Sequence, residues 1–306
     1  MNPDFAINDA ESEQRLNFER DEVYDGSAVS CPFAGGMVAI DIPCSCPNGS
    51  PVVAIAHRGF VGRRLRSVSI PPSVRVVRQN AFDRVATLEY VCFRDESQLE
   101  TIDSFAFSHT GLKTVLIPSN VKTIGAFAFL GIATLRLVEF QEGTRLATIE
   151  TSAFSNTRLS KICVPASVTV IGCQAFKGVE SLVRVEFPQD SILDEIFSGA
   201  FEGCGITLIS IPKTVRGIGS RVFKDCICLE TVVMLGTVPP WLGYDAFLNT
   251  PSLKRIVVPS GSKATYRSAD GWSCYSGLIE EFLMDDYEYA VEKSQGWKGK
   301  EWTEFE

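Results

Sequence analysis

The sequence predicts an α/β repeat solenoid, a right-handed superhelix of about nine coils on parallel β-sheet with a cap at each end. Two observations carry that expectation. A marker phenylalanine, usually preceded by Ala, recurs at Phe60, Phe82, Phe107, Phe129, Phe154, Phe176, Phe201, Phe223 and Phe247, with spacings that alternate between 22 and 25 residues and close on 24. Five or six residues after each marker comes Leu-x-x-Val-x-Ile or a close variant, as at Leu65, Val68 and Ile70 or at Leu112, Val115 and Ile117.

The elements follow in chain order. Residues 1–27 read as an acidic extension and residues 28–64 as a capping coil, with Ile42-Pro43 at a strand end and Val52 and Ile55 in a second segment. Residues 65–258 hold the repeats, residues 259–283 a C-terminal cap and residues 284–306 an acidic tail. Within a repeat, apolar residues two apart suit a short strand with alternate side chains inward. Proline at 71, 118, 165 and 212 then stops the strand, because it has no N–H to give a ladder. A second buried segment is expected at pairs such as Val121 and Ile124, and Gly125, Gly172 and Gly219 are expected to permit a bend after it. The Ala-Phe marker is placed on a turn of α or 3₁₀ helix, its ring inside the coil and its small Ala letting the next coil approach. In the longer units the strand ends at Phe93, Phe140, Phe187 or Met234 and the turn gains two residues, so the module is a pair of coils of about 47 residues. Tyr266, Gly271, Trp272, Tyr275 and Leu278 replace a further marker and form an aromatic cap.

Charge is unevenly spread. The net charge is −8, yet residues 1–25 and 278–306 each carry −6, which leaves +4 for the middle. Much of that comes from Arg58, Arg63, Arg64, Arg66, Arg75, Arg78, Arg84 and Arg94, opposed in the same stretch by Asp83 and Glu89. Without interleaved aromatic platforms such a patch suits an acidic protein segment or the chain's own ends better than nucleic acid. No apolar run approaches a membrane helix and no signal sequence opens the chain. A monomer in the cytoplasm is expected, with the cell surface by unconventional export as the alternative.

From Leu112 through Phe129 the chain reads Leu-x-x-Val-x-Ile-Pro-x-x-Val-x-x-Ile-Gly-x-x-Ala-Phe, and it closes with Val-Pro-x-Gly-Ser-x-x-x-Tyr-x-x-x-x-Gly-Trp from Val258 to Trp272. In these motifs it resembles the BspA-like leucine-rich repeat family over about residues 37–279. The resemblance implies a leucine-rich-repeat solenoid and an adhesin-like, protein-binding surface, with no catalytic residue to carry over.

Chemical readings of the residues are weak by comparison. Placed on the repeat, Cys204 and Cys226 take core positions filled elsewhere by Val85, Ile132 and Val179, and free buried thiols are expected for the ten cysteines as a group. Cys92 and Cys163 lie mid-strand, pointing outward three coils apart, too far to bond. Cys44-x-Cys46 and Cys226-x-Cys228 lack a histidine near in sequence, so no metal and no other cofactor is expected. His57 and His109 sit beside marker turns, and no phosphate-binding glycine loop occurs, so no enzyme is expected. The sites left are outward strand positions, one row running Ser69, Cys92, Leu116, Glu139, Cys163, Glu186, Ser210, Val233 and Val257. The preceding row is Ser67, Tyr90, Thr114, Leu137, Lys161, Arg184, Leu208, Thr231 and Arg255. From these, Tyr90, Leu116, Leu137, Glu139 and Glu186 are the candidate contacts for a protein partner. Arg63 and Arg64 in the arginine-rich first coils are the rival site.

Overall fold

A computed structural model describes residues 16–21, 26–31 and 38–282. The acidic tail expected at 284–306 and most of the acidic extension lie outside the described residues. An antiparallel hairpin, β1 (Asn17–Asp21) and β2 (Gly26–Ser30), comes first. Strands follow as β3 (Val38–Asp41), β4 (Val52–Ile55), β5 (Leu65–Ile70), β6 (Val76–Val77), β7 (Tyr90–Phe93), β8 (Thr101–Ile102), β9 (Thr114–Ile117), β10 (Thr123–Ile124) and β11 (Leu137–Phe140). They continue as β12 (Thr148–Ile149), β13 (Lys161–Cys163), β14 (Val170–Ile171), β15 (Arg184–Glu186), β16 (Glu195–Ile196), β17 (Leu208–Ile211), β18 (Gly217–Ile218), β19 (Thr231–Met234), β20 (Trp241–Leu242) and β21 (Arg255–Pro259). Helix α1 (Lys263–Ser268), a 3₁₀ turn over Ser273–Leu278 and β22 (Ile279–Phe282) end the described chain.

The chain is a parallel β-solenoid, with two strands in each coil. Even-numbered strands from β2 to β20, with β1 at one end, form a single sheet of eleven in the order β1-β2-β4 and so on to β20. Its register stacks Ile102, Ile124, Ile149, Ile171, Ile196, Ile218 and Leu242 into one buried column. Odd-numbered strands form the other sheet, and this one is broken. It comes in blocks, β3-β5-β7, then β9-β11, then β13-β15, then β17-β19-β21-β22. Each break follows a long unit, at Phe93, Phe140 and Phe187, while the long unit ending at Met234 stays laddered to the next coil.

The third side of the coil carries the marker. Helix is absent from it among the described residues, contrary to expectation; the α/β label holds only for α1 and the 3₁₀ turn in the cap. Instead each marker lies between two left-handed residues, two before and two after it, for example Phe105 at φ 58° and His109 at φ 53° around Phe107. Left-handed residues four apart interrupt any helix, and across them every second N–H is aimed along the stack. Phe105 N–H donates to Ala126 O, Phe107 N–H to Ala128 O and His109 N–H to Leu130 O, at 2.8–3.0 Å, and the same triplet recurs along the chain. This third ladder satisfies backbone groups that burial would otherwise leave unpaired.

Inside, the nine marker rings form one column. Successive centroids are 4.8–5.8 Å apart with planes within 17° of parallel. All nine are buried, eight of them completely. No coil could bury such a ring alone, which is why the fold exists only as a stack. Glycine after the second strand also has a different cause from the one expected. Neither Gly125 nor Gly172 is left-handed; a Cβ on Gly172 would meet the backbone carbon of Glu150 at 2.7 Å, and one on Gly125 that of Asp103 at 2.8 Å. The residue is small because the coils touch there.

At the C-terminal end the aromatic cap closes the core. Tyr266 and Trp272 are fully buried and meet edge to face at 5.2 Å. Tyr266 Oη donates to Gly236 O at 2.8 Å and Trp272 Nε1 to Pro240 O at 2.7 Å. Tyr275 meets the last marker ring, Phe247, edge-on at 5.2 Å. Beside it β22 pairs with β21 in register from Ile256 opposite Ile279.

Candidate functional site: the outward face of the broken sheet

Side chains alternate across a strand, so the odd-numbered strands place Val115, Val138, Ile162, Val185 and Ile209 in the core and their neighbours outside. Within each block the rows read from the sequence are in register. Leu116 lies opposite Glu139, Thr114 opposite Leu137, Cys163 opposite Glu186 and Lys161 opposite Arg184. Leu116 is 46% exposed, a large apolar side chain held out on a rigid strand. Towards the ends the rows close up, since Ser67, Thr231 and Val233 are buried, so the accessible stretch is the middle.

Of the candidate residues, Leu116 lies beside Glu139 on β9 and β11, Leu137, Glu139 and Glu186 meet across the break between β11 and β13, and Tyr90 lies beyond the separate break between β7 and β9. That break is covered: Lys113 Nζ lies over the Tyr90 ring, 5.4 Å from its centroid, and donates to Glu89 Oε2 at 2.8 Å. The same bond holds the Glu89 carboxyl below its ordinary value and Lys113 above its own. The break between β11 and β13 opens into a cavity of about 620 Å³ that Leu137, Glu139 and Glu186 help to line, together with Phe140, Ile162 and Cys163. Burial raises the Cys163 thiol, reinforced by the charge of Glu186. Nothing in the residue pattern named this cavity. Its one trace in the sequence was the longer turn after Phe140.

The rival arginine patch is neutralised in part. The sequence set two acidic residues against it, and the fold brings in two more. Arg66 pairs with Glu89 at 4.0 Å, Arg75 with Glu100 at 3.6 Å and Arg84 with Asp83 at 3.8 Å, while Arg94 pairs with Asp41. Arg63 Nε donates to Cys31 O at 2.7 Å. Arg64 stays exposed. A further apolar surface, unforeseen, surrounds β20, where Val238 is 75%, Trp241 60% and Tyr244 85% exposed at the end of the unbroken sheet.

The cysteines divide differently from the expectation. Cys31, Cys46, Cys204 and Cys226 are buried and Cys173 is half-buried, but Cys44, Cys92, Cys163, Cys228 and Cys274 are exposed. Outward strand positions and turn tips leave them open, and no core contact selects them. Among the described residues no three His, Cys, Asp or Glu side chains are placed to hold a metal ion. His109 Nδ1 and Ser108 Oγ share a hydrogen bond of 2.7 Å, but Ser108 is 1% exposed and offers no nucleophile to a substrate. No helix among the described residues is long and apolar enough to cross a membrane.

Comparison with known proteins matches this geometry. A solved leucine-rich repeat protein from Bacteroides ovatus is similar with a TM-score of 0.59 and 23% identity, over 91% of this chain and 76% of that one. The leucine-rich repeat protein of T. pallidum is 23% identical over 78% of this chain and 88% of its own, with a TM-score of 0.49. The pneumococcal vaccine antigen PcpA is 17% identical over 92% and 94% of the two chains, also at 0.49. No curated protein sequence matches. The family model for the BspA type leucine-rich repeat region matches residues 53–171 and 147–269, six copies in all, and those spans coincide with the stacked coils. The chain therefore belongs to the BspA-type leucine-rich repeat family.

Proposed function

We propose that the chain is a non-catalytic scaffold that presents the outward face of its broken sheet, centred on Leu116, Leu137, Glu139 and Glu186, to a protein partner. One observation carries the reading: Leu116, an apolar side chain 46% exposed, stands in register beside Glu139 on strands whose other face is locked into the core. A face held by backbone ladders loses little conformational freedom on binding, and mixed apolar and charged side chains are what recognition uses. The arginine-rich coils are the weaker alternative, because Arg66, Arg75, Arg84 and Arg94 already pair with carboxylates. The chain works as a monomer in this reading.

Two paired charge reversals separate the sites. Full-length chain carrying Glu139→Lys with Glu186→Lys, and chain carrying Arg63→Glu with Arg64→Glu, are used in pull-downs from the source cell, each first confirmed folded by its circular dichroism. Loss of the captured protein with the first pair alone supports the sheet face. Loss with the second pair alone refutes it.

A further inference from the structure

We infer that the gap between β11 and β13 is a groove for an extended polypeptide segment that carries an aromatic or branched aliphatic side chain flanked by basic residues. This rests on the reading of the broken sheet as the partner's surface and names the chemistry of what enters it. The gap is built in. Behind it the unbroken sheet still joins the same two coils, with Thr148 opposite Val170 and Ile149 opposite Ile171. In front β11 pairs with β9 and β13 with β15, and no ladder joins β11 to β13. The coils are thus laddered on one side and unladdered along β11 and β13 on the other, where Arg158 N–H to Leu135 O at 3.0 Å is the bond that closes the foot of the gap.

Floor, walls and rim of the gap each specify one feature of the occupant. The floor holds the buried Val138 and Ile162 with Phe140, Pro165 and Ala166, and the volume of about 620 Å³ falls within the range of small-ligand pockets. It accepts one large apolar side chain. The walls are the edges of β11 and β13, which share no ladder, and an extended backbone lying along the outside of the gap can meet their N–H and C=O groups. At the rim, Glu139, Glu142 and Asp190 are exposed and no ion pair reaches them among the described residues. Glu186 is held by Arg184, and Lys161 is the other cation, so four carboxylates stand against two cations. That balance favours lysine or arginine beside the apolar residue and disfavours a polyanion.

The other breaks show what closure looks like. Between β7 and β9, Lys113 bridges Glu89 and the Tyr90 ring. Beside the break between β15 and β17, Phe187 is buried at 8% exposure, whereas its counterpart Phe140 is only partly covered.

Cys163 gives the test an internal reporter. It lines the cavity, and Cys92 occupies the equivalent mid-strand position away from it. The probe is a fluorescein-labelled peptide, Thr-Lys-Thr-Phe-Thr-Lys-Thr, compared with a version having Ala for Phe and one having Glu for both Lys. Fluorescence anisotropy with the full chain is expected to show binding of the first, and binding about tenfold or more weaker for the others. Saturating peptide slows iodoacetamide alkylation of Cys163, read by mass spectrometry, by about tenfold and leaves Cys92 unchanged. The triple variant Glu139→Lys, Glu142→Lys and Asp190→Lys, all exposed positions, keeps its melting midpoint and loses the peptide. No anisotropy change with folded wild-type chain, equal protection of both cysteines, or equal binding of the Glu version overturns the groove. If the peptide fails while the pull-down still depends on Glu139 and Glu186, the sheet-face reading stands and only the groove falls.

Discussion

Emptying one ring of the marker column is the most direct test of what holds this chain together. Phe154 is fully buried between Phe129 at 5.2 Å and Phe176 at 5.5 Å, with planes 4° and 9° from parallel. Its replacement by Ala loses a transfer term of about 2 kcal/mol. The hole left behind, on the order of 80–100 Å³, adds about 2 kcal/mol at ~24 cal/mol per Å³ because ladders on three sides hold the coil open. The expected cost is therefore about 4 kcal/mol, read as a fall in the urea midpoint by tryptophan fluorescence and circular dichroism together. Phe127 is the control. Two residues before a marker, it is half-buried and stacks on Phe105 alone at 4.6 Å, so Phe127→Ala is expected to cost about 1 kcal/mol. A Phe154→Ala cost below about 1 kcal/mol, or equal to that of Phe127→Ala, would refute the argument that the column is the core.

Three further outcomes follow from contacts already described. Gly172→Ala forces a Cβ to within 2.7 Å of the neighbouring coil's backbone and is expected to cost about 1–3 kcal/mol in the same melt, against almost nothing for Gly277→Ala, which has open space around it and no left-handed φ. Trp272→Phe strands the buried Pro240 carbonyl and is expected to cost about 1–3 kcal/mol, with exchange of amides in the last coils rising first. Burial pushes the Cys226 thiol from 9.0 up to about 12. Below pH 9 both folded and unfolded chains keep that proton; above it the unfolded chain releases it first, so stability falls by up to about 1.4 kcal/mol per pH unit until the folded thiol ionises. Cys226→Val, the residue type that Val85 and Val179 supply at this position, is expected to flatten the loss between pH 9 and pH 10.5, and an unchanged pH profile would show the thiol to be solvent-accessible.

What the sequence disclosed and what it withheld divide along a physical line. Columns that must stay dry repeat a residue type in every coil, so Phe154, Ile171 and Leu182 could be placed on sight, and so could the outward rows between them. Backbone conformation at the marker left no such trace. The left-handed positions hold Arg58, Gln174, Arg221 and Phe127 as readily as glycine, because the ladder to the next coil sustains a geometry that local propensity would not choose. Charge matching was hidden for a related reason. Glu100 reaches Arg75 in the neighbouring coil and Asp41 reaches Arg94 two coils along, pairings invisible until the period is folded into a stack. The gap at β11 was legible only as two extra residues in a turn, which gives a length and no direction.

The unbroken sheet behind and the interrupted one in front make the molecule resemble a book sewn along one edge. Opening its leaves at one of the fore-edge gaps breaks no ladder of that sheet, whereas tearing the spine means severing a ladder at every leaf. Compliance is thus concentrated at three joints, after Phe93, Phe140 and Phe187, and the last coils are bound shut along both edges.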